Sequence, residues 1–292
     1  MPEPNPKIQQ ILAAFDPYDS GYPRQAVDEA IALQAEITPH LIQIVEDVTV
    51  HPLDYLNRNS MAPTYAVMLL AHFREVRAHS ALIKLFSLPQ VALEPLFGDL
   101  ITEDLSMILY RTCSGSLEQI KTLVLNQKAY EYCRSAASGA MVYAVLEGIA
   151  DRAEVLAFFG SLFTGNEAEP DSVFWSSIAG DIYDLYPEEL MEVIRQAYER
   201  ELIDLMDIGL DSFEEALREG QEKTLAQTRA QMERRSFDDL HARMSWWAMF
   251  EAETEPIARK PAALPSAHKR QNQKKARRKM AKASQKKNRR RK

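Results

Sequence analysis

The sequence predicts an all-α fold, an α-solenoid of antiparallel helix pairs ending in a disordered basic tail. Apolar residues recur at spacings of three and four, and strand-like alternation is nowhere sustained. Only 10 of 292 residues are glycine, so few positions interrupt the helical pattern. The first helices of successive pairs are expected near Pro63, Thr102, Tyr132 and Asp171, a spacing close to that of helical repeat arrays. A pair of this size cannot bury its own apolar stripe, so stacking on its neighbours must supply the core.

In chain order, Thr38 and Pro39 predict an N-cap and a preset first turn for HLIQIVEDV, with Leu41, Ile42, Val45 and Val48 on one face. Pro63 opens the helix in MAPTYAVMLLAHF, and REVRAH turns the chain into ALIKLFSL, its antiparallel mate. Thr102 opens EDLSMILYRTC and Gly115 ends it, whereas Ser116 with Gln119, and Asp151 with Glu154, read as capping boxes. The segments Tyr132 to Ile149, SVFWSSIAGDIYDLY and, after Pro187, EELMEVIRQAYERELI complete the array. Asp211 and Ser212 with Glu215 predict the start of a long exposed helix, because FEEALREGQEKTLAQTRAQMERR is polar around most of its circumference.

The next segment, Ser236 to Phe250, places Phe237, Leu240, Met244, Trp247 and Phe250 on one helical face. That face either caps the last repeat or, through Trp246, Trp247 and Phe250, anchors a protein partner. The expected organisation is an N-terminal extension over 1–22, a repeat domain over 23–210, capping helices over 211–255 and a basic disordered tail over 256–292.

Charge divides body from tail. The chain carries a formal net charge of -7, yet all 42 acidic residues lie at or before Glu255 and 16 of the 35 Lys and Arg lie from Arg259 onward. The body is therefore -23 and the tail +16. After the linker-like PAALP, the tail is too polar to fold alone. The residues expected to meet an anionic partner are Lys269, Arg270, Lys274, Lys275, Arg277, Arg278, Lys279, Lys282, Lys286, Lys287, Arg289, Arg290, Arg291 and Lys292. Such runs neutralise phosphates and fold on structured RNA, so RNA or a ribosome is the first expectation. An anionic membrane surface ranks below it, since the tail has no lipidation motif or apolar anchor. A tail lying on its own acidic body, or simply solvated, is the remaining reading.

The tract SGAMVYAVLEGIADRAEVLAFFGSLF, followed by VFWSSIAGDIYDLYPEELMEVIRQAYERELIDL, resembles the bacterial family DUF1186, over most of Ile31 to Leu217. The resemblance implies a HEAT-like repeat fold and carries no assigned activity. Some relatives end in a zinc-binding SEC-C segment; no cysteine occurs in the tail here, so that site is not carried over.

The residues offer no catalytic, cofactor or metal set. None of His40, His51, His72, His79, His241 and His268 stands in an HExxH arrangement, and the REVRAH turn separates His72 from His79. Phosphate-binding glycine loops and the GxSxG elbow are absent. Asp204, Asp207 and Asp211 read as a solvated helix end. Asp181 and Asp184 sit among apolar neighbours, a setting that perturbs an acid, although pairs at i and i+3 usually face solvent. Cys113 and Cys133 read as reduced core thiols. With no signal peptide and no apolar run of about 18 residues, a cytoplasmic, non-enzymatic binding or scaffold protein is expected. Its repeat surface would select a protein partner and its tail would supply attachment. An enzyme, or a protein handling a chromophore or small molecule on the concave face, is the alternative from another class, and a pure adaptor with a solvated or self-masking tail is the third.

Overall fold

The computed structural model describes residues 5–17, 21–247 and 250. The proposed linker and the whole cationic run from Lys269 to Lys292 lie outside them. The described residues are helical with no strand, as the spacing predicts.

Helices α1 (Pro6–Phe15), α2 (Arg24–Ala32), α3 (Gln34–Val50) and α4 (Pro52–Arg58) begin the body. Buried Ile8, Ile11 and Phe15 pack α1 into the core. A central row follows from α3 through α5 (Ala62–His72), α9 (Leu105–Thr112), α11 (Glu131–Leu146) and α13 (Val173–Asp184), each packed on the next. Helices α6 (His79–Phe86), α10 (Glu118–Leu125) and α12 (Arg152–Gly160) form a flanking layer, and α14 (Met191–Glu199) leads to the C-terminal helices. The row helices start at Ala62, Leu105, Glu131 and Val173, less evenly than the sequence pattern suggests. The cause is an insertion: α7 (Gln90–Phe97) and α8 (Leu100–Glu103) turn at Gly98, whose φ of 46° favours glycine. Thr102 therefore lies inside α8 instead of opening α9.

Several local expectations are corrected by burial. Helix α3 starts five residues before Pro39, because the Leu33 carbonyl holds the turn that buries Ile37; the Thr38 hydroxyl caps nothing and bonds back to the Gln34 carbonyl at 2.7 Å. The Asp151 carboxylate does cap α12, accepting from the Glu154 amide at 2.9 Å. Ser116 does not cap α10, and Gln119 instead accepts from the Ser80 hydroxyl. The helix expected to run exposed past Asp211 is two helices, α15 (Leu210–Glu219) and α16 (Gln221–Glu233), broken at Gly220 with φ 90°. Gly209 rather than Asp211 or Ser212 precedes α15, and it has no side-chain cap. Nor is α16 free: Thr224, Thr228 and Met232 are buried against α11 and α13, and the Thr228 hydroxyl donates to the Asp184 carbonyl at 3.0 Å.

Arginine side chains join neighbouring elements through backbone carbonyls, most of them at helix C-terminal ends. Arg111 donates to the carbonyls of Ala71 and His72 at the end of α5, and Arg229 to that of Leu146 at the end of α11. Arg134 reaches the carbonyls of Val124 and Glu167 while its guanidinium lies 4.0 Å over the Phe174 ring. Arg152 bonds to Leu185 and Tyr186, and Arg200 to Phe163 and Thr164. The carbonyls of Ala71, His72, Val124, Leu146 and Leu185 lie at helix C-terminal ends, which leave them open beside the negative end of the dipole, whereas those of Phe163, Thr164 and Glu167 belong to the loop after α12. Cys113 and Cys133 are buried free thiols, with burial pushing both upward in pKa.

Two helical glycines separate packing from propensity. A Cβ on Gly139 would stand 2.8 Å from the Ser106 Oγ of α9, whereas one on Gly180 would meet nothing within 4 Å. Gly139→Ala is expected to destabilise by about 1–3 kcal/mol through overpacking, and Gly180→Ala to stabilise by about 0.5–1 kcal/mol; urea midpoints of the two variants check both signs.

Candidate functional site

Beyond α16 the chain turns back and crosses the central row toward the N-terminal helices. This strap, residues 234–247 with the short helix α17 (Leu240–Met244), packs on α5. Its apolar stripe does dock, but on the first pairs instead of the last: Phe237, Leu240 and Met244 are fully buried, and Trp247 and Phe250 are half-buried. Phe250 and Trp247 stack at 6.0 Å and extend a ladder through Tyr65 to Phe15. Trp246, the third residue of the expected anchor, remains 65% exposed.

Polar contacts fix the strap's register. His72 donates from Nδ1 to the Phe237 carbonyl at 2.7 Å, and Arg111 pairs with Asp238 at 3.0 Å. His241 bridges two N-terminal residues, its Nδ1 hydrogen-bonded with the Tyr22 hydroxyl and its Nε2–H donating to Asp28, both at 2.8 Å. Arg243 pairs with Asp104 at 2.5 Å and also donates to the Glu103 carbonyl. Asp104 is almost fully buried, and burial pushes its carboxyl up more strongly than adjacent Arg243 pulls it down. His72 and His79, seven residues apart, thus have separate partners; His79 bonds to the Thr112 hydroxyl at 3.0 Å.

The strap also closes one wall of a groove of about 770 Å³, within the range of roughly 300–1,000 Å³ that holds a drug-sized ligand. Tyr55, Asn59, Ser60 and Thr64 come from α4, α5 and their junction; Glu94, Phe97, Asp99 and Glu103 come from the α7–α8 insertion; Arg243, Trp246 and Trp247 come from the strap. Asn59, with φ 57°, makes the left-handed turn that ends α4 and sets the groove's corner. Two of the residues expected to anchor a partner, Trp246 and Trp247, therefore share one cavity with several carboxylates that showed no motif in the sequence.

A second polar cluster lies under the strap's beginning. Burial drives the Asp181 carboxyl well above the usual range, and its Oδ2 is buried with no hydrogen-bond partner among the described residues. Burial raises Asp184 to about 6, against the pull of Arg235. Arg235 also lies 3.7 Å from Glu103, and its charge opposes the upward push of burial on the Tyr143 hydroxyl. The pair does not face solvent as i and i+3 acids usually do. Asp204 instead closes a turn, accepting from the Met206 amide at 3.0 Å. Among the described residues, no group of three or more His, Cys, Asp or Glu could hold a metal ion. No described helix is long and apolar enough to cross a membrane.

A family model described as a protein of unknown function, DUF1186, matches residues 6–251. The chain belongs to the DUF1186 family. The match takes in α1, the insertion and the strap with both tryptophans, and ends before the cationic run. An uncharacterized protein of Chlamydia muridarum (strain MoPn / Nigg) is 34% identical over 204 residues, covering 69% of this chain and 82% of the relative. An uncharacterized protein of Chlamydia trachomatis serovar D is equally similar, with 81% of its length covered. No solved structure matches this DUF1186 chain.

Two expectations follow from the buried acids. A carboxyl raised in the fold weakens it as pH climbs from the unfolded value, about 4, to the folded value, about 6 for Asp184. Asp184→Asn should therefore gain stability over the parent across that interval and hold the gain above it, as urea midpoints at stepped pH will show. Arg243→Ala should cost about 3 kcal/mol at neutral pH by leaving Asp104 buried and unpaired, with a smaller cost in acid, where Asp104 is neutral. Hydrogen exchange should then rise across 236–247.

Proposed function

We propose that this DUF1186 protein is a non-enzymatic helical-repeat scaffold. Its body holds a protein partner in the groove beside the strap, and its basic run attaches it to RNA or a ribosome. The observation that carries the first half is Trp246, a large apolar side chain held 65% exposed at the edge of the groove by a strap whose Phe237, Leu240 and Met244 are buried in docking. Exposed aromatics in a preformed concavity are the residues from which interface hot spots are built. A helical body without a described metal cluster or membrane-crossing helix is compatible with this role.

The second half rests on charge segregation in the sequence. An acidic body of -23 repels phosphate, so attachment to an anionic polymer falls to the +16 segment. That segment has no aromatic residue for base stacking, and its contribution is attachment without sequence readout.

Capture from cell lysate with the full chain and with a chain ending at Ala258, at low and moderate salt, tests both halves. RNA or ribosomal proteins should copurify with the full chain and leave as salt rises. A protein partner should stay with both forms and be lost with Trp246→Ala. Equal RNA recovery by the two forms would remove the tail's role, and a partner indifferent to Trp246 would remove the groove's.

A further inference from the structure

The groove's lining also specifies the chemistry of its occupant. Glu94, Asp99, Glu103 and Asp104 face it against one cation, Arg243, whose guanidinium is already committed to Asp104 and the Glu103 carbonyl. Asp99 and Glu103 are exposed, and the Arg235 contact to Glu103 is long at 3.7 Å. An apolar occupant would strip water from the exposed carboxylates of Asp99 and Glu103 without replacing its hydrogen bonds, an unfavourable exchange. An anionic occupant would meet both them and the field of a body carrying -23. Beside the carboxylates stand Trp246 and Trp247, and indole is the side chain that best accepts a cation over its face.

We infer that the groove takes a lysine- or arginine-bearing segment of a partner protein, its cationic head between Asp99 and Glu103 and its aliphatic stem along Trp246. Long basic side chains suit such a site because their stems cover apolar surface while the head stays polar. The inference rests on the proposal that the groove is the body's docking site, and it adds the charge of what docks.

Fluorescence anisotropy with labelled tetralysine, tetraglutamate and a neutral Gly-Ser peptide of equal length tests it, using the full chain and the chain ending at Ala258 at low and physiological ionic strength. Tetralysine should bind both forms in preference to the other peptides. Trp246→Ala should weaken it about fivefold or more, and Asp99→Asn combined with Glu103→Gln should do the same. Unchanged thermal unfolding of these surface variants will show that the fold is intact, and Trp246→Phe should restore part of the binding.

Tetralysine binding that ignores all of these substitutions would place the cation elsewhere on the acidic body and overturn the inference. Trp246-dependent binding of the neutral or acidic peptide would overturn the charge assignment yet leave the groove as a docking site. Tetralysine binding to the shortened chain alone would mean that the chain's own basic run competes for the groove, and would overturn a partner in trans. No binding by any peptide, with lysate capture indifferent to Trp246, would remove the inference and the docking site together.

Discussion

The buried Arg243–Asp104 pair is the constraint that ties the C-terminal strap to the first helices at one position. Asp104 sits where α8 hands over to α9, almost without solvent, and burial opposes its charge. A buried carboxylate is tolerated when a cation and further hydrogen bonds surround it, and Arg243 reaches it only if α17 lies at one register on α5. That register then places Phe237, Leu240 and Met244 in the core and Trp246 over the groove. The pair adds little net stability in such an accounting, because desolvation offsets attraction. Its effect is specificity of placement, supported by Arg111–Asp238 and by His241 between Tyr22 and Asp28.

A repeat array with uneven intervals needs another means of fixing neighbours, and the arginine forks supply it. Helix ends leave carbonyls open, and a planar guanidinium can satisfy two at once while its charge complements the dipole. Arg111, Arg134, Arg152 and Arg200 each hold two carbonyls and Arg229 holds one, over separations of 10 to 83 positions in the chain. The Arg134 fork also stacks over Phe174, and burial lowers its pKa to about 10, still well above neutrality. These contacts are directional where apolar packing is not, so they set the rotation between successive pairs.

This difference explains what the sequence discloses. Helix existence was legible from the apolar period, and starts were legible where chemistry is local, as at Pro63 and Asp151. Local signals failed where burial outweighed them, as at Pro39, or where one glycine broke a polar stretch, as at Gly220. The stripe through Phe237 and Trp247 announced a docking face, but the surface that receives it is made by residues some two hundred positions earlier. Nothing in a single chain marks such a pairing. The groove was equally hidden: its carboxylates come from an insertion without a motif, and only the tryptophans drew notice. Asp181 and Asp184 show the same limit, since spacing suggested solvent and the neighbouring helices decided otherwise.

The groove's construction couples occupancy to the strap. Its walls come from α4, α5 and the α7–α8 insertion on one side and from Arg243, Trp246 and Trp247 on the other. A ligand touching both sides binds the docked strap better than a released one, and it therefore favours docking by its differential affinity for the two states. Linkage makes the effect reciprocal: whatever loosens the strap weakens the ligand by the same factor. In the sequence the strap is followed by Glu251, Glu253 and Glu255 and the linker-like PAALP before the basic run begins, so the wall carrying the two tryptophans and the cationic segment are separate stretches of the chain. On the proposed reading the groove and the basic run are therefore two separate attachments, and occupancy of the groove is felt first by the strap that forms its wall.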